Sequence, residues 1–284
     1  MTRDITRAVI LGGGGVTGIA WEIGMIAGFA EAGIDLAEHA DALFGTSAGS
    51  FAAALLAGRV DIEARYRAQF EPDGTEVAAA MSPEVQEQYQ NAVLANYGQA
   101  IPLAQAFGAI AKGASTVNTE VRTGVVRARL GTDEWPDNDL LHMTAIDADT
   151  GELVVLDRHS GLTLVEAASA TGAVPGLWPL VSAGGRNWID GGMVSAANVQ
   201  LGAAYDRVLV IAPVGESMSG FDSVAVAAEK LRATAKVIAV TPDDATRDAI
   251  GPNVFDPSRR GGAAEAGRAQ ALSLADEVRA SWVD

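Results

Sequence analysis

The chain reads as an α/β protein built on a mostly parallel sheet, with a helical insertion. Three observations carry this expectation. Two short apolar runs, Ala8–Leu11 and Ala40–Phe44, each lead through a glycine-bearing turn into an apolar helix. That β–loop–α–β–turn–α order requires parallel strands joined by right-handed crossovers. Residues 60–130 then lose every strand-like run and show helical spacing, and from Leu140 short branched runs return.

Taken in order, Ala8-Val9-Ile10-Leu11 has the length and branching of a buried strand. The loop Gly12-Gly13-Gly14-Gly15-Val16-Thr17-Gly18 follows, and then an apolar helix, 18–31, with small residues interspersed and Gly33 at its end. Such a helix is expected to pack closely on a sheet. Strand 40–44 runs into Gly45-Thr46-Ser47-Ala48-Gly49, and Ser50–Ala57 is an Ala/Leu-rich helix closed by Gly58. In the insertion, about 60–135, helices are expected at 61–70, 83–97, 100–112 and 118–130, punctuated by Pro72-Asp73-Gly74 and Ser82-Pro83. The apolar segment Ala100–Ala111 reads either as a core-facing helix or as a cap that touches an acyl chain or lipid. Leu141–Asp147 and Leu153–Asp157 flank a hairpin turn at Asp149-Thr150-Gly151-Glu152. A helix at 165–171, strands at 186–190, 207–212 and 237–240, and helices at 222–236, 243–250 and 259–281 complete the chain. Without a repeat or a linker, residues 1–284 are expected to form one domain.

Composition removes several functions. The net charge of −16 argues against nucleic acid, which needs clustered Lys and Arg, and against simple electrostatic docking on anionic lipid. With no cysteine, thiolate catalysis, disulfides and Cys-based zinc sites are excluded. A polar N-terminus and the lack of a long charge-free apolar stretch make the cytoplasm the expected compartment.

The chemistry centres on Gly45-x-Ser47-x-Gly49 between a strand and a helix. A serine on such a tight turn is a nucleophile elbow, with its hydroxyl lifted from the sheet and a helix N-terminus aimed at it. It needs a base. His39, His142 and His159 each lack a marking context and read as surface or hairpin residues. The order Ser47, then Asp147 or Asp157, then His159 would suit an α/β-hydrolase, but only two strands precede the elbow. Asp190, in Ile189-Asp190-Gly191-Gly192 at a strand end, is the better candidate, either as a carboxylate that takes the Ser47 proton or simply as a turn residue. The glycine loop offers backbone amides for an oxyanion. It also spells Gly13-x-Gly15-x-x-Gly18, a dinucleotide fingerprint, with Asp35 and Asp41 near the expected acidic position.

Glycine loop, elbow and Asp-Gly-Gly, in this order, resemble the patatin-like phospholipase family over roughly residues 7–215, as does Ala168-Ser169-Ala170-Thr171-Gly172-Ala173-Val174-Pro175. The resemblance implies a three-layer α/β/α fold with a mostly parallel central sheet and a helical cap. It further implies a Ser–Asp dyad without histidine, hydrolysis of lipid acyl esters, and neither metal nor cofactor. By that resemblance Ser47 is the nucleophile, Asp190 the base, and the amides of Gly13, Gly14, Gly15 and Ala48 the oxyanion hole, with Gly18, Gly45, Gly49, Gly191 and Gly192 as motif glycines. Its implied partner is a lipid or other acyl ester, with transient contact to a membrane surface. Thr17 stands where the family usually has Lys or Arg, which weakens the case for a charged head group unless another base such as Arg186 substitutes. The rival readings are a non-catalytic scaffold of the same fold, a dinucleotide-binding protein and a His159-dependent hydrolase.

Overall fold

A computed structural model describes residues 4–72, 74, 76 and 80–284. The first βα units lie where the apolar runs put them: β1 (Arg7–Leu11), α1 (Gly15–Glu31), a short α2 (Leu36–His39), β2 (Ala42–Thr46) and α3 (Ala48–Ala57). The regular elements described in the insertion are helical, among them α4 (Ile62–Arg67), α5 (Pro83–Ala95), α6 (Ala100–Gly113) and α7 (Thr119–Leu130). Ser82 and Asn118 cap α5 and α7 by accepting backbone N–H bonds. The turn expected at Pro72-Asp73-Gly74 includes Asp73, which lies outside the described residues.

The chain then returns to the sheet with β3 (Leu141–Asp147), β4 (Leu153–Leu156), α8 (Leu164–Thr171), β5 (Val181–Ala183) and β6 (Arg186–Asp190). It closes with β7 (Arg207–Ile211), α9 (Val224–Leu231), β8 (Lys236–Val240), α10 (Asp244–Ile250) and α11 (Arg260–Val278). The order across the sheet is β5-β6-β3-β2-β1-β7-β8, with β4 also on β3. The strands β3, β2, β1, β7 and β8 are mutually parallel, and β4, β5 and β6 enter through antiparallel pairs.

Alternation along the central strands feeds two cores. Val9, Leu11, Leu43, Leu209 and Ile211 face α1, α3 and α11, while Ala8, Ile10, Ala42, Val208 and Val210 face α9. Both sheet faces are therefore covered, which is why these strands read as continuous apolar runs. A third cluster lies beyond the end of β3, where Leu103 and Phe107 of α6 meet Ile146, Ile189 and Met193. The core-facing reading of Ala100–Ala111 therefore holds, although Ile101 remains half exposed.

The small residues of α1 serve a different contact from the one expected. A Cβ on Gly24 would lie 2.0 Å from the Ala264 carbonyl oxygen, and one on Gly28 would lie 2.6 Å from that of Arg268. The glycines let α1 pack backbone-to-backbone on α11, not on the sheet. Within α1, Glu22 is fully buried and neither carboxylate oxygen has a hydrogen-bond partner of normal geometry. Burial holds its pKa well above the usual value, only partly opposed by the nearby Gly12 backbone.

Two predictions follow from this packing. Gly24→Ala should destabilise the protein by about 1–3 kcal/mol in denaturant unfolding, because the clash is with backbone on both sides. Glu22 binds its proton more tightly when folded, so its contribution to stability is present below the ordinary carboxyl value of 4.5 and is lost as pH rises through the folded pKa. Glu22→Gln should therefore gain on wild type as pH rises above 4.5, with a slope of up to about 1.4 kcal/mol per pH unit. Parallel stability–pH curves for the two proteins would contradict a protonated Glu22.

Candidate active site

The strand register brings Ser47 and Asp190 together. Ala145 of β3 pairs with both Val154 of β4 and Asp190 of β6, so those two strands lie on opposite edges of β3. Thr144 pairs with Val155 of β4 and Thr46 of β2. Strands β2 and β6 therefore share one edge of β3, end against end, and Asp190 arrives one step beyond Thr46, level with Ser47. Asp190 was expected at the crevice as the terminus of a parallel strand. It reaches the crevice because β6 is antiparallel and overlaps only the last part of β3.

The elbow is held from several sides. Ser47 adopts φ 53° and ψ −116°, a conformation that non-glycine residues rarely take. Its N–H donates to Thr171 Oγ1 at 2.9 Å, and Thr171 also bonds the Ser50 hydroxyl at 2.9 Å. Glycine is required on both sides for space. A Cβ on Gly45 would lie 2.4 Å from Ser50 Cα, and one on Gly49 would lie 2.2 Å from the Leu11 carbonyl oxygen. The Gly49 N–H donates to the Gly12 carbonyl at 3.0 Å, tying the elbow to the glycine loop.

Asp190 is 2% exposed and accepts the Gly192 N–H at 2.7 Å. Burial raises its pKa to about 6, opposed by a hydrogen bond from the Ser47 hydroxyl, the Gly192 amide and the positive charge of Arg122. The turn after it is fixed by Asn198, whose Nδ2 donates to Thr46 Oγ1 and to the Gly191 carbonyl, both at 3.1 Å. Gly191 sits against the carbonyl of Thr144, where a Cβ would lie 2.4 Å away.

Of the four expected oxyanion donors, Gly13 needs correction. Its N–H already donates to the Ala196 carbonyl at 2.7 Å. Among the described residues the amides of Gly14, Gly15 and Ala48 have no such partner, and Gly15 and Ala48 line one small cavity with Ser47, Phe51, Arg122 and Trp178. Gly18 lies at the first turn of α1 and packs on Pro213.

The competing residues lie elsewhere. Asp35 caps α2, and Asp41 accepts the Arg7 N–H at the entry to β2, the end of the sheet remote from Ser47. His159 pairs with Asp139 after β4, also at that remote end, and His142 stacks on Phe44. His39 meets Trp282 edge-on. Asp147 accepts the N–H groups of Asp149 and Thr150 in the hairpin turn, and Asp157 accepts that of His159. Arg186 is half exposed, 3.6 Å from Asp147 and four residues before Asp190. Thr17 is fully buried and its hydroxyl donates to the Val254 carbonyl.

The insertion contributes residues that sequence reasoning did not single out. Tyr89 of α5 donates its hydroxyl to the Pro175 carbonyl at 2.8 Å, and burial, with the charge of Asp190, pushes its pKa up. Arg122 of α7 reaches the Ser47 cavity across the face of Trp178. The spacing of Arg122 and Arg129, two helical turns apart on one face, was the available signal.

A family model described as patatin-like phospholipase matches residues 9–203, well over half of the chain. The chain belongs to the patatin-like phospholipase family. Membership supports lipid hydrolase activity in general. No curated protein sequence matches it. Among solved structures it is similar to VipD from Legionella pneumophila, at 15% identity and a TM-score of 0.45, covering 97% of this chain and 67% of that one. The type III effector protein ExoU is similar at 16% identity and a TM-score of 0.44, covering 97% of this chain and 53% of that one. Full-length ExoU in complex with SpcU, from Pseudomonas aeruginosa, aligns at 17% identity and a TM-score of 0.34, covering 98% and 58%. Among the described residues of this patatin-like chain, no helix is long and apolar enough to cross a membrane.

Thr171 offers a direct test of the elbow's support. Thr171→Val removes the acceptor of the Ser47 N–H and the partner of Ser50. It should lower stability by about 1–3 kcal/mol in thermal or denaturant unfolding. A variant as stable as wild type would show that the elbow holds its conformation without this bond.

Proposed function

We propose that this chain is a serine acyl hydrolase of lipid or other carboxylic esters, in which Ser47 attacks and Asp190 is the base. One observation carries the reading. A serine held in a strained elbow stands beside a buried carboxylate whose affinity for a proton its hydroxyl lowers, and the three histidines lie elsewhere. The elevated pKa of Asp190 gives the carboxylate the basicity that proton abstraction near neutral pH requires.

In this mechanism Asp190 takes the Ser47 proton as Oγ bonds to the ester carbonyl carbon. The amides of Gly14, Gly15 and Ala48 donate to the oxyanion. The tetrahedral intermediate collapses, the alkoxide leaves with the proton from Asp190, and an acyl-serine remains. Water then loses a proton to Asp190 as it attacks, and the acid departs as Ser47 regains its proton. Residues 1–284 act as one hydrolase domain, with the helical insertion closing the site. Tyr89 is buried near enough to Asp190 to feel its charge. The positions of Asp35 and Asp41 do not suit a dinucleotide, and the intact Ser47–Asp190 pair disfavours a purely structural role.

A fluorophosphonate probe tests the serine. Wild type should label, Ser47→Ala should not, and Asp190→Asn should label at least about 10²-fold more slowly. Full labelling of Asp190→Asn with Ser47 still required would remove Asp190 as the base. Because the base works ionised, kcat/KM should fall as pH drops through about 6 and reach a plateau above it. A midpoint near the ordinary aspartate value would mean that a different group titrates.

A further inference from the structure

The turn between α5 and α6 carries an apolar surface that the fold does not use. Leu94 is 77% exposed, Tyr97 66% and Ile101 50%, and the first two are the most exposed large apolar side chains among the described residues. The buried faces of the two helices lie elsewhere, with Val85 and Ala92 on α5 and Leu103, Ala104 and Phe107 on α6. Tyr89 and Phe107 hold the helices together, their ring centres 4.7 Å apart. The turn is closed by its own backbone, the Gln99 N–H donating to the Asn96 carbonyl at 3.0 Å, with Gly98 at φ 70°. Leu94, Tyr97 and Ile101 are therefore held in place without serving the core.

This tip stands at the end of the sheet from which Ser47 opens. Ile101 lies against Gly151, in the turn that follows β3, where a Cβ would be 3.2 Å from Ile101 Cγ2. Gly98 lies against Gly220, in the segment that follows β7, where a Cβ would be 2.6 Å from the Gly98 nitrogen. Strands β2, β3 and β7 are parallel, so the chain leaves β3 and β7 at the same end as it leaves β2 for the elbow.

The chemistry of the tip is unlike that of the rest of the chain. Residues 88–111 contain no Asp, Glu, Lys, Arg or His, the longest such run in a sequence of net charge −16. So acidic a protein is repelled by anionic lipid. An uncharged tip with a tyrosine among aliphatic side chains suits the boundary of a neutral bilayer, where a ring with one polar atom sits between head groups and acyl chains. Area decides against a protein partner. Even a large aromatic side chain buries only about 150–250 Å². Three side chains therefore fall short of the roughly 800 Å² per partner of a stable protein interface. A lipid surface sets no such minimum, because it closes around whatever apolar side chains enter it.

We propose that Leu94, Tyr97 and Ile101 form a docking tip that enters the surface of a zwitterionic lipid bilayer and holds the Ser47 end of the sheet against it. The proposal rests on the hydrolase reading for its purpose, the supply of lipid ester to Ser47, and it names the surface from which that ester is taken.

The first test floats the Ser47→Ala protein with phosphatidylcholine vesicles, so that no lipid is consumed. The protein should float with the vesicles. Adding Leu94→Ser, Tyr97→Ser and Ile101→Ser together should lower the ratio of bound to free protein by about tenfold or more, since three apolar side chains leave the bilayer. Leu272→Ser, at an exposed apolar position of α11, should leave that ratio within about twofold. Replacing part of the lipid with phosphatidylserine should weaken binding, most at low salt. No flotation, equal flotation of the triple serine variant, or tighter binding to the anionic vesicles would each overturn the tip.

A second test locates the contact. In Tyr97→Trp the emission of the new ring should shift to the blue on vesicle binding and be quenched by brominated acyl chains. Floating protein with unchanged emission would place the contact elsewhere and overturn the proposal. Self-association that the triple serine variant abolishes, without flotation, would give the tip to a second copy of the chain and overturn the lipid surface. In the active enzyme, the ratio of kcat/KM for a vesicle-borne ester to that for a water-soluble ester of the same acyl group should fall about tenfold in the triple variant. Protein that labels with fluorophosphonate and hydrolyses the soluble ester, yet does not float, overturns the tip and keeps the hydrolase. Protein that floats through the tip but neither labels nor hydrolyses any ester keeps the tip and removes the hydrolase.

Discussion

One edge of β3 is shared by two strands, and the site depends on that sharing. Strand β2 occupies the edge as far as Thr144, and β6 takes it over from Ala145. The two strands point at each other, so the residue that leaves β2 and the residue that ends β6 must meet. The junction has no slack. Thr144 Oγ1 bonds Thr46 Oγ1 at 2.8 Å, Asn198 bridges Thr46 to Gly191, and Gly191 lies on the Thr144 backbone. A one-residue slip of β6 would turn Asp190 to the other face of the sheet. The approach of Ser47 to Asp190 is therefore set by backbone pairing before any side chain is considered.

The same junction explains how Ser47 keeps an unfavourable backbone. A positive φ at a non-glycine residue costs of order 1–3 kcal/mol and survives only where the surroundings over-determine it. Here the surroundings are the Thr171 hydroxyl on one side and the Gly12 carbonyl, through Gly49, on the other. Three chain segments far apart in sequence thus converge on one turn. Elbow, glycine loop and α8 form a single mechanical unit, and the amides of Gly14, Gly15 and Ala48 take their positions from it.

Much of this was legible in the sequence for a physical reason. Strands buried on both faces must be continuously apolar, and turns pressed against backbone must be glycine, so β1, β2, β7, β8 and the elbow announce themselves locally. What could not be read was long-range. Asp190 was legible as a strand-end carboxylate, but the antiparallel entry of β6 is a matter of pairing that no local pattern encodes. The three-residue β5 carries no periodic signal. The glycines of α1 marked a close approach correctly and its partner wrongly, because Gly24 and Gly28 meet a helix that begins more than two hundred residues later. Gly13 sits in the expected loop, yet its amide faces Ala196, a contact decided by the segment after β6. Arg122 carries no local signal of its place, which Trp178 and the wall of the Ser47 cavity decide.

That last placement changes the role of the insertion. A carboxylate base faces opposite demands: it must be buried to gain basicity, yet must remain ionised to act. Around Asp190 burial is the largest influence, and the Ser47 hydroxyl, the Gly192 amide and Arg122 restrain it. Two of these restraints come from the sheet and its turns, and the third comes from α7. Tyr89 on α5 is buried within reach of the same carboxylate's charge. The helices between β2 and β3 therefore do more than cover the crevice. They supply, through Arg122 of α7, a positive charge that limits the rise in the affinity of Asp190 for a proton. In the proposed reaction the barrier to proton transfer depends on how closely α5 and α7 are seated, so opening the insertion to admit an ester would make Asp190 a weaker base, and closing over the substrate would restore it.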